Sequence, residues 1–158
     1  MSSEKRKIAY IDGKPYEIGA NHTSILKFVK SYVGEKKVPT LCDDPNLAPY
    51  GACRVCSVEV ALEKDGPTKM VASCHTPVAE NQHIFTSNEA ITSLRKNIVE
   101  LVLTDHPMEC DSCEVNNNCE LQTVANDLGI SDHRYNLSLI HISEPTRRYA
   151  ISYAVFCL

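Results

Sequence analysis

The chain has no tryptophan, only three phenylalanines and no surplus of positive charge. Its 16 Lys and Arg stand against 20 Asp and Glu, a formal net charge of −4 over 158 residues. Without a basic stripe or an aromatic stacking platform, nothing points to a nucleic-acid partner. The short charged runs at Lys5–Lys7 and Glu35–Lys37 read as solvated turns and strand flanks. Nor is there an apolar run of about 18 residues, so no segment is expected to insert directly into a membrane. The opening MSSEKRKIAY is charged and passes straight into strand-like alternation, which leaves no room for a secretory signal. A cytoplasmic location is expected, as a free protein or peripheral to a membrane-bound complex. There is no internal repeat and no low-complexity segment, and the length suits one compact domain or two small ones with modest cores.

Cysteine, in contrast, is abundant, with eight residues. In a reducing compartment these are better read as metal ligands than as a disulfide framework. The densest stretch is Leu103 to Leu121, LTDHPMECDSCEVNNNCEL, which carries His106, Cys110, Cys113 and Cys119 in the spacing H-x3-C-x2-C-x5-C. One imidazole and three thiols so close in sequence can wrap one metal centre. Two residues separate Cys110 from Cys113 around a turn, so both sulfurs can point the same way. Pro107 stops the preceding helix and frees His106 to turn inward.

A second set lies upstream. Cys42, Cys53, Cys56 and Cys74 have the spacing C-x10-C-x2-C-x17-C. Three ligands on one loop and a fourth beyond a strand is the arrangement of plant-type [2Fe-2S] proteins, although their first gap is x4. Gly51 and Ala52 are small enough to let backbone N–H groups approach the sulfurs, offsetting negative charge by hydrogen bonds. A four-cysteine zinc site has the same ligand set and stays open on spacing alone, although zinc sites usually pair two knuckles, whereas Cys42 and Cys74 are each single.

Between the ligands the patterns are ordinary. Lys7–Ile11 alternates, Asp12-Gly13 signals a hairpin turn, and KPYEIGA returns as a second strand. Thr23 or Ser24 can cap a helix with Ile25, Leu26, Phe28, Val29, Tyr32 and Val33 on one face, closed by Gly34 in the left-handed conformation. Val38–Ser57 carries three prolines and three cysteines and reads as a long loop that needs something to wrap around. Val58–Leu62 and KMVAS form a second hairpin around Asp65-Gly66. Ser87-Asn88-Glu89 starts a helix whose stripe is Ile91, Leu94, Ile98, Leu101 and Val102. A last helix runs from about Cys119 to Leu128, with Leu121, Val124, Ala125 and Leu128 buried and Gly129 at its end. His22, His75 and His83 lack the spacing of a site and read as surface or supporting residues.

The end of the chain has a different character. LSLIHISEPTR, Leu137–Arg147, resembles the in-frame translation of a transposase-type sequencing-library adapter. ISYAVFCL, Ile151–Leu158, resembles the flow-cell adapter that follows it. On that reading 137–158 is a non-native tail, the natural sequence stops at Asn136, and Cys157 is no ligand. Seven cysteines and His106 then make eight ligands, enough for two four-ligand sites.

The motifs VPTLCDDPNLAPYGACRVCSVEV and MVASCHTPVAE resemble the N-terminal ferredoxin-like domain of the large iron-sulfur subunits of NADH-quinone oxidoreductase, NAD-linked formate dehydrogenase and NAD-reducing hydrogenase. NIVELVLTDHPMECDSCEVNNNCELQTVANDLGI resembles the [4Fe-4S] segment that follows in those chains. The resemblance covers about Ile8 to Ile130 and implies an α+β fold: a β-grasp [2Fe-2S] domain over 1–86, then a helical [4Fe-4S] domain over 87–136. It implies that Cys42, Cys53, Cys56 and Cys74 hold a [2Fe-2S] cluster and that His106, Cys110, Cys113 and Cys119 hold a [4Fe-4S] cluster. SCHTPV and PYGACRVC look closer to formate dehydrogenase α chains than to the complex I subunit.

The expected function is single-electron relay in the N-terminal part of a large oxidoreductase subunit, with no catalytic residue of its own. Its expected partners are flavin-bearing, NADH-oxidising or other redox subunits, and a further C-terminal part with more clusters and a molybdopterin-type domain or its relic. Two other readings compete with this: a free-standing two-cluster ferredoxin, and a zinc-stabilised interaction module without redox activity.

Overall fold

The computed structural model describes residues 7–64, 66–132 and 134–135. The adapter-like tail, its Cys157, and Asp65 of the second turn signal lie outside the described residues.

Two hairpins are where the alternation places them. β1 (Ile8–Ile11) pairs antiparallel with β2 (Lys14–Glu17), Ile8 opposite Glu17 and Ile11 opposite Lys14. Asp12 and Gly13 between them have φ of 48° and 83°, the double left-handed turn that matches strand twist. β3 (Ser57–Ala61) pairs antiparallel with β4 (Lys69–Ala72).

A fifth strand, β5 (His83–Phe85), is not signalled by the sequence, yet it occupies the middle of the sheet. It runs parallel to β1, with Ile84 beside Ile11, and antiparallel to β3, with Ile84 opposite Val60. The order is β2-β1-β5-β3-β4, so three residues join two hairpins into one sheet. His83, read as a surface or supporting residue, is half-buried here, its ring stacked on Tyr10 at 4.4 Å.

Helix α1 (Ile25–Val33) lies against this sheet. Ser24 is its cap, its Oγ accepting a 3.3 Å hydrogen bond from Lys27 N–H. Ile25, Leu26, Phe28 and Val29 are buried as expected, but Tyr32 and Val33 are exposed at the last turn. Gly34 has φ 106° and ψ 162°, an extended glycine conformation instead of the left-handed helical cap. The backbone leaves the helix at once and enters a short 3-10 turn, Glu35–Lys37. Ala9, Ile11, Ile25, Phe28, Val29, Val58 and Ile84 form the main core, and Cys56 and Cys74 belong to the same cluster. Burying each large apolar side chain there contributes about 1.5–3 kcal/mol.

Helix α2 (Glu89–Leu103) starts at Asn88, whose Oδ1 accepts from Ile91 N–H at 2.7 Å. Its buried face differs from the expected stripe: Ile91, Arg95, Val99, Glu100 and Leu103 face inward, while Leu101 and Val102 are 51% and 41% exposed. Two charged residues lie on that inner face, and a stripe drawn through apolar positions alone rotates away from them. Helix α3 (Glu120–Asp127) completes a smaller core of Val99, Leu103, Val124, Ala125 and Ile130. Val55 of the long cysteine loop is fully buried in this second core, with Leu41 and Cys53 packed against it. The loop therefore has a wall on each side. The whole is an α+β, ferredoxin-like architecture with a helical extension.

Candidate metal centres

The long loop places three of its cysteines without regular secondary structure between Val38 and Cys56. Lys30 of α1 anchors its first part through Asp43, the neighbour of Cys42, at 2.9 Å. Its last part turns sharply. Arg54 has φ 62°, a conformation that costs a non-glycine residue about 1–2 kcal/mol, and its carbonyl accepts from Ser57 N–H at 3.1 Å and Ser57 Oγ at 2.6 Å. That turn sets Cys53 and Cys56 on the two flanks of one bend.

Electrostatically the four thiols act on one another in pairs, Cys42 with Cys53 and Cys56 with Cys74, and Cys42 also acts on Cys74. Burial pushes the Cys74 thiol up to about 12, and the neighbouring Cys56 side chain adds to it. Burial also raises Cys42. Cys53 goes the other way: burial opposes its ionisation, but N–H of Val55, the thiol of Cys42 and N–H groups of Leu41 and Cys42 outweigh it. Backbone donors face the other sulfurs too, from Cys53 and Ala52 toward Cys42 and from Gly51 toward Cys74. Burial opposes the ionisation of these thiols, so a positively charged metal centre is what would draw them into the thiolate form, and backbone N–H groups near the sulfurs suit an iron-sulfur centre.

Gly51 makes this approach possible. Its φ is 76°, and a Cβ there would stand 3.2 Å from the Ala72 Cβ. His75, beside Cys74, is exposed; His22 is half-buried, its Nδ1 accepting from Gly19 N–H at 2.9 Å and its ring 5.2 Å from that of Phe28.

The second set surrounds a cavity. α2 ends at Leu103, before Pro107, and His106 follows with its N–H bound to the Leu103 carbonyl at 3.1 Å. Cys110–Ser112 forms a 3-10 turn closed by Cys113 N–H to Cys110 carbonyl at 3.1 Å. Cys119 stands at the start of α3. His106, Cys110, Cys113 and Cys119 all line one cavity of about 480 Å³, whose remaining wall includes Leu103, Met108, Leu121, Ala125 and Ile130. Among the described residues, no three His, Cys, Asp or Glu side chains are close enough together to hold a single metal ion. The four donors therefore share a cavity wall without converging on one point.

Residues that carry no ligand signature brace the backbone around both sets of candidate ligands. Ser73 Oγ donates to the Cys56 carbonyl at 2.7 Å. Gln122 spans the polar turn before Cys119, its Oε1 accepting from Asn117 N–H at 2.8 Å and its Nε2 donating to Asn116 Oδ1 at 2.9 Å. The NNN run signalled a turn, but nothing in its spacing marked Gln122 as the side chain that closes it.

Residues 7–89 match the family described as 2Fe-2S iron-sulfur cluster binding domain, more than half of the chain. The chain belongs to that family. Residues 95–134 match a second description, NADH-ubiquinone oxidoreductase-G iron-sulfur binding region. Among curated relatives, the NADPH-Fe(3+) oxidoreductase subunit alpha of Geobacter sulfurreducens is 35% identical over 129 residues, covering 82% of this chain and 14% of the relative. A subunit of the NADH-quinone oxidoreductase of Escherichia coli K12 is 34% identical over 131 residues, with the same two coverages. The chain thus spans about a seventh of the length of these relatives. A solved NAD+-reducing [NiFe]-hydrogenase has a chain of similar fold, with a TM-score of 0.65 at 24% identity, covering 84% of this chain and 54% of that one.

The two matched regions are [2Fe-2S] and [4Fe-4S] modules of the kind found in NADH-quinone oxidoreductase subunits, and their function is electron transfer. No helix among the described residues is long and apolar enough to cross a membrane.

Proposed function

We propose that Cys42, Cys53, Cys56 and Cys74 hold the [2Fe-2S] cluster and that His106, Cys110, Cys113 and Cys119 hold the [4Fe-4S] cluster. The observations that carry this reading are that Cys42, Cys53 and Cys56 share one irregular loop with Cys74 brought to them from beyond β4, backbone N–H groups lying near these sulfurs, and that His106, Cys110, Cys113 and Cys119 line one cavity. When bound, the two clusters accept and return one electron each with little change of geometry. The protein's part is to hold that geometry. Ser73, Gly51 and the Arg54 turn position the sulfurs of the first site, and Gln122 shapes the loop between Cys113 and Cys119. Val55 buries the first loop against the helices that carry the second, which keeps the two sites on a shared wall. Residues 1–86 and 87–136 form the two modules in this reading.

The larger role follows from the relatives. A protein similar to the subunits of NADH-quinone and NADPH-Fe(3+) oxidoreductases is suited to pass electrons between a flavin-bearing or nicotinamide-oxidising subunit and further redox centres, peripheral to a membrane or in the cytoplasm. Substrate chemistry then lies outside these residues.

Purification without air tests the ligand assignment. A brown chain with about six iron and six sulfide atoms is expected, and a colourless zinc-containing chain would overturn the reading. Cys56→Ser should remove the binuclear paramagnetic signal and leave the tetranuclear one.

A further inference from the structure

Arg95 is the inner-face residue of α2 that apolar patterning does not anticipate. It is 5% exposed, and its Nη2 donates a 2.8 Å hydrogen bond to the carbonyl of Ser57, the residue after Cys56. Its Nε is buried with no partner. A buried guanidinium is unfavourable unless a negative charge compensates it. Among the described residues no carboxylate is paired with Arg95; the carboxylate on the same helix face, Glu100, is held by Arg134 Nε at 2.6 Å. Burial pulls the Arg95 pKa down, and the neighbouring Cys56 side chain is the group that acts against that loss.

We propose that Arg95 is a positioning residue of the first cluster, fixing the Cys56–Ser57 backbone and holding a permanent positive charge near the Cys56 sulfur that raises the cluster's midpoint potential. This rests on Cys56 being a ligand. One-electron reduction of a binuclear centre held by four thiolates adds one negative charge, with no bond made or broken. A fixed cation nearby stabilises the reduced form more than the oxidised one. Because α2 leads to His106, the same side chain also ties the first ligand loop to the segment that carries the second site.

The test is a redox titration of the full chain carrying both clusters, followed by the paramagnetic signal of each reduced centre, for the parent, Arg95→Gln and Arg95→Lys. Arg95→Gln should lower the binuclear midpoint by an amount equal to about a tenfold change in the reduced-to-oxidised ratio, about 59 mV for one electron. Arg95→Lys should restore most of it, and the tetranuclear midpoint should move less. An unchanged or higher binuclear midpoint in Arg95→Gln overturns the proposal. If Arg95→Gln assembles no binuclear centre, Arg95→Lys decides: a signal with a near-parental midpoint supports a role for charge, and a lowered midpoint or no signal overturns it. A parent chain with no binuclear signal would instead refute the ligand assignment.

Discussion

The hydroxyl of Ser73, wholly buried, donates a 2.7 Å hydrogen bond to the carbonyl of Cys56, and the Ser73 N–H reaches the same oxygen at 3.3 Å. Ser73 precedes Cys74, so this contact fixes the backbones of two candidate ligands that lie far apart in sequence. Ser73→Ala removes the stronger of the two bonds and should destabilise the site by about 1–2 kcal/mol. The expected readout is a severalfold faster loss of binuclear visible absorbance when a chelator is added. An unchanged rate would mean that the backbone bond alone holds the pair.

Gly51→Ala should damage the same site by a different route. The new Cβ meets Ala72 at 3.2 Å in a backbone with φ of 76°, and the left-handed conformation alone costs about 1–2 kcal/mol. Any relaxation carries the Gly51 N–H away from the Cys74 sulfur it faces. A lower melting temperature together with a shifted visible spectrum is expected. A variant identical to the parent in both would show that the loop has slack at Gly51.

His106→Cys exchanges a neutral imidazole for a thiolate and adds one negative charge to the tetranuclear centre. Provided that the cluster assembles, its midpoint should fall in a redox titration while the binuclear midpoint stays near its parental value. A midpoint equal to or above the parent's would show that solvation and hydrogen bonding at this exposed position outweigh ligand charge.

Removal of both clusters should partly unfold the chain. The loop from Val38 to Cys56 has no helix or strand to support it, and α3 buries only Val124 and Ala125. Metal binding then contributes folding energy. Circular dichroism should show helix lost on chelation, with a less cooperative melt. A cooperative and unchanged melting curve would contradict this.

The sequence was most legible where chemistry depends on local spacing. The paired Cys110–Cys113 turn, the Asp12-Gly13 hairpin and the helix starts at Thr23-Ser24 and Ser87–Glu89 all involve contacts within a few residues, so residue type and order suffice to place them, and the structure picks Ser24 and Asn88 as the caps. β5 was not legible, because three residues carry too little alternation to register as a strand. Its place depends on Ile11 and Val60 arriving on either side of Ile84. The α2 stripe was misread for a related reason: Arg95 and Glu100 are buried only because Ser57 and Arg134 receive them.

By itself, then, the sequence determined which residues are candidate ligands and their grouping into two sets, since these follow from donor chemistry and short-range spacing, while the two cluster classes came from the resemblance of its motifs to a family. The tertiary structure alone decided which thiols act on one another, Cys53 with Cys42 and Cys74 with Cys56, which backbone N–H groups lie near them, and that Val55 and Arg95 join the first loop to the helices of the second site. The physical reason is range. Metal-ligand identity is a property of single side chains, whereas the electrostatic surroundings of a buried sulfur are set by groups that chain closure brings in from distant positions.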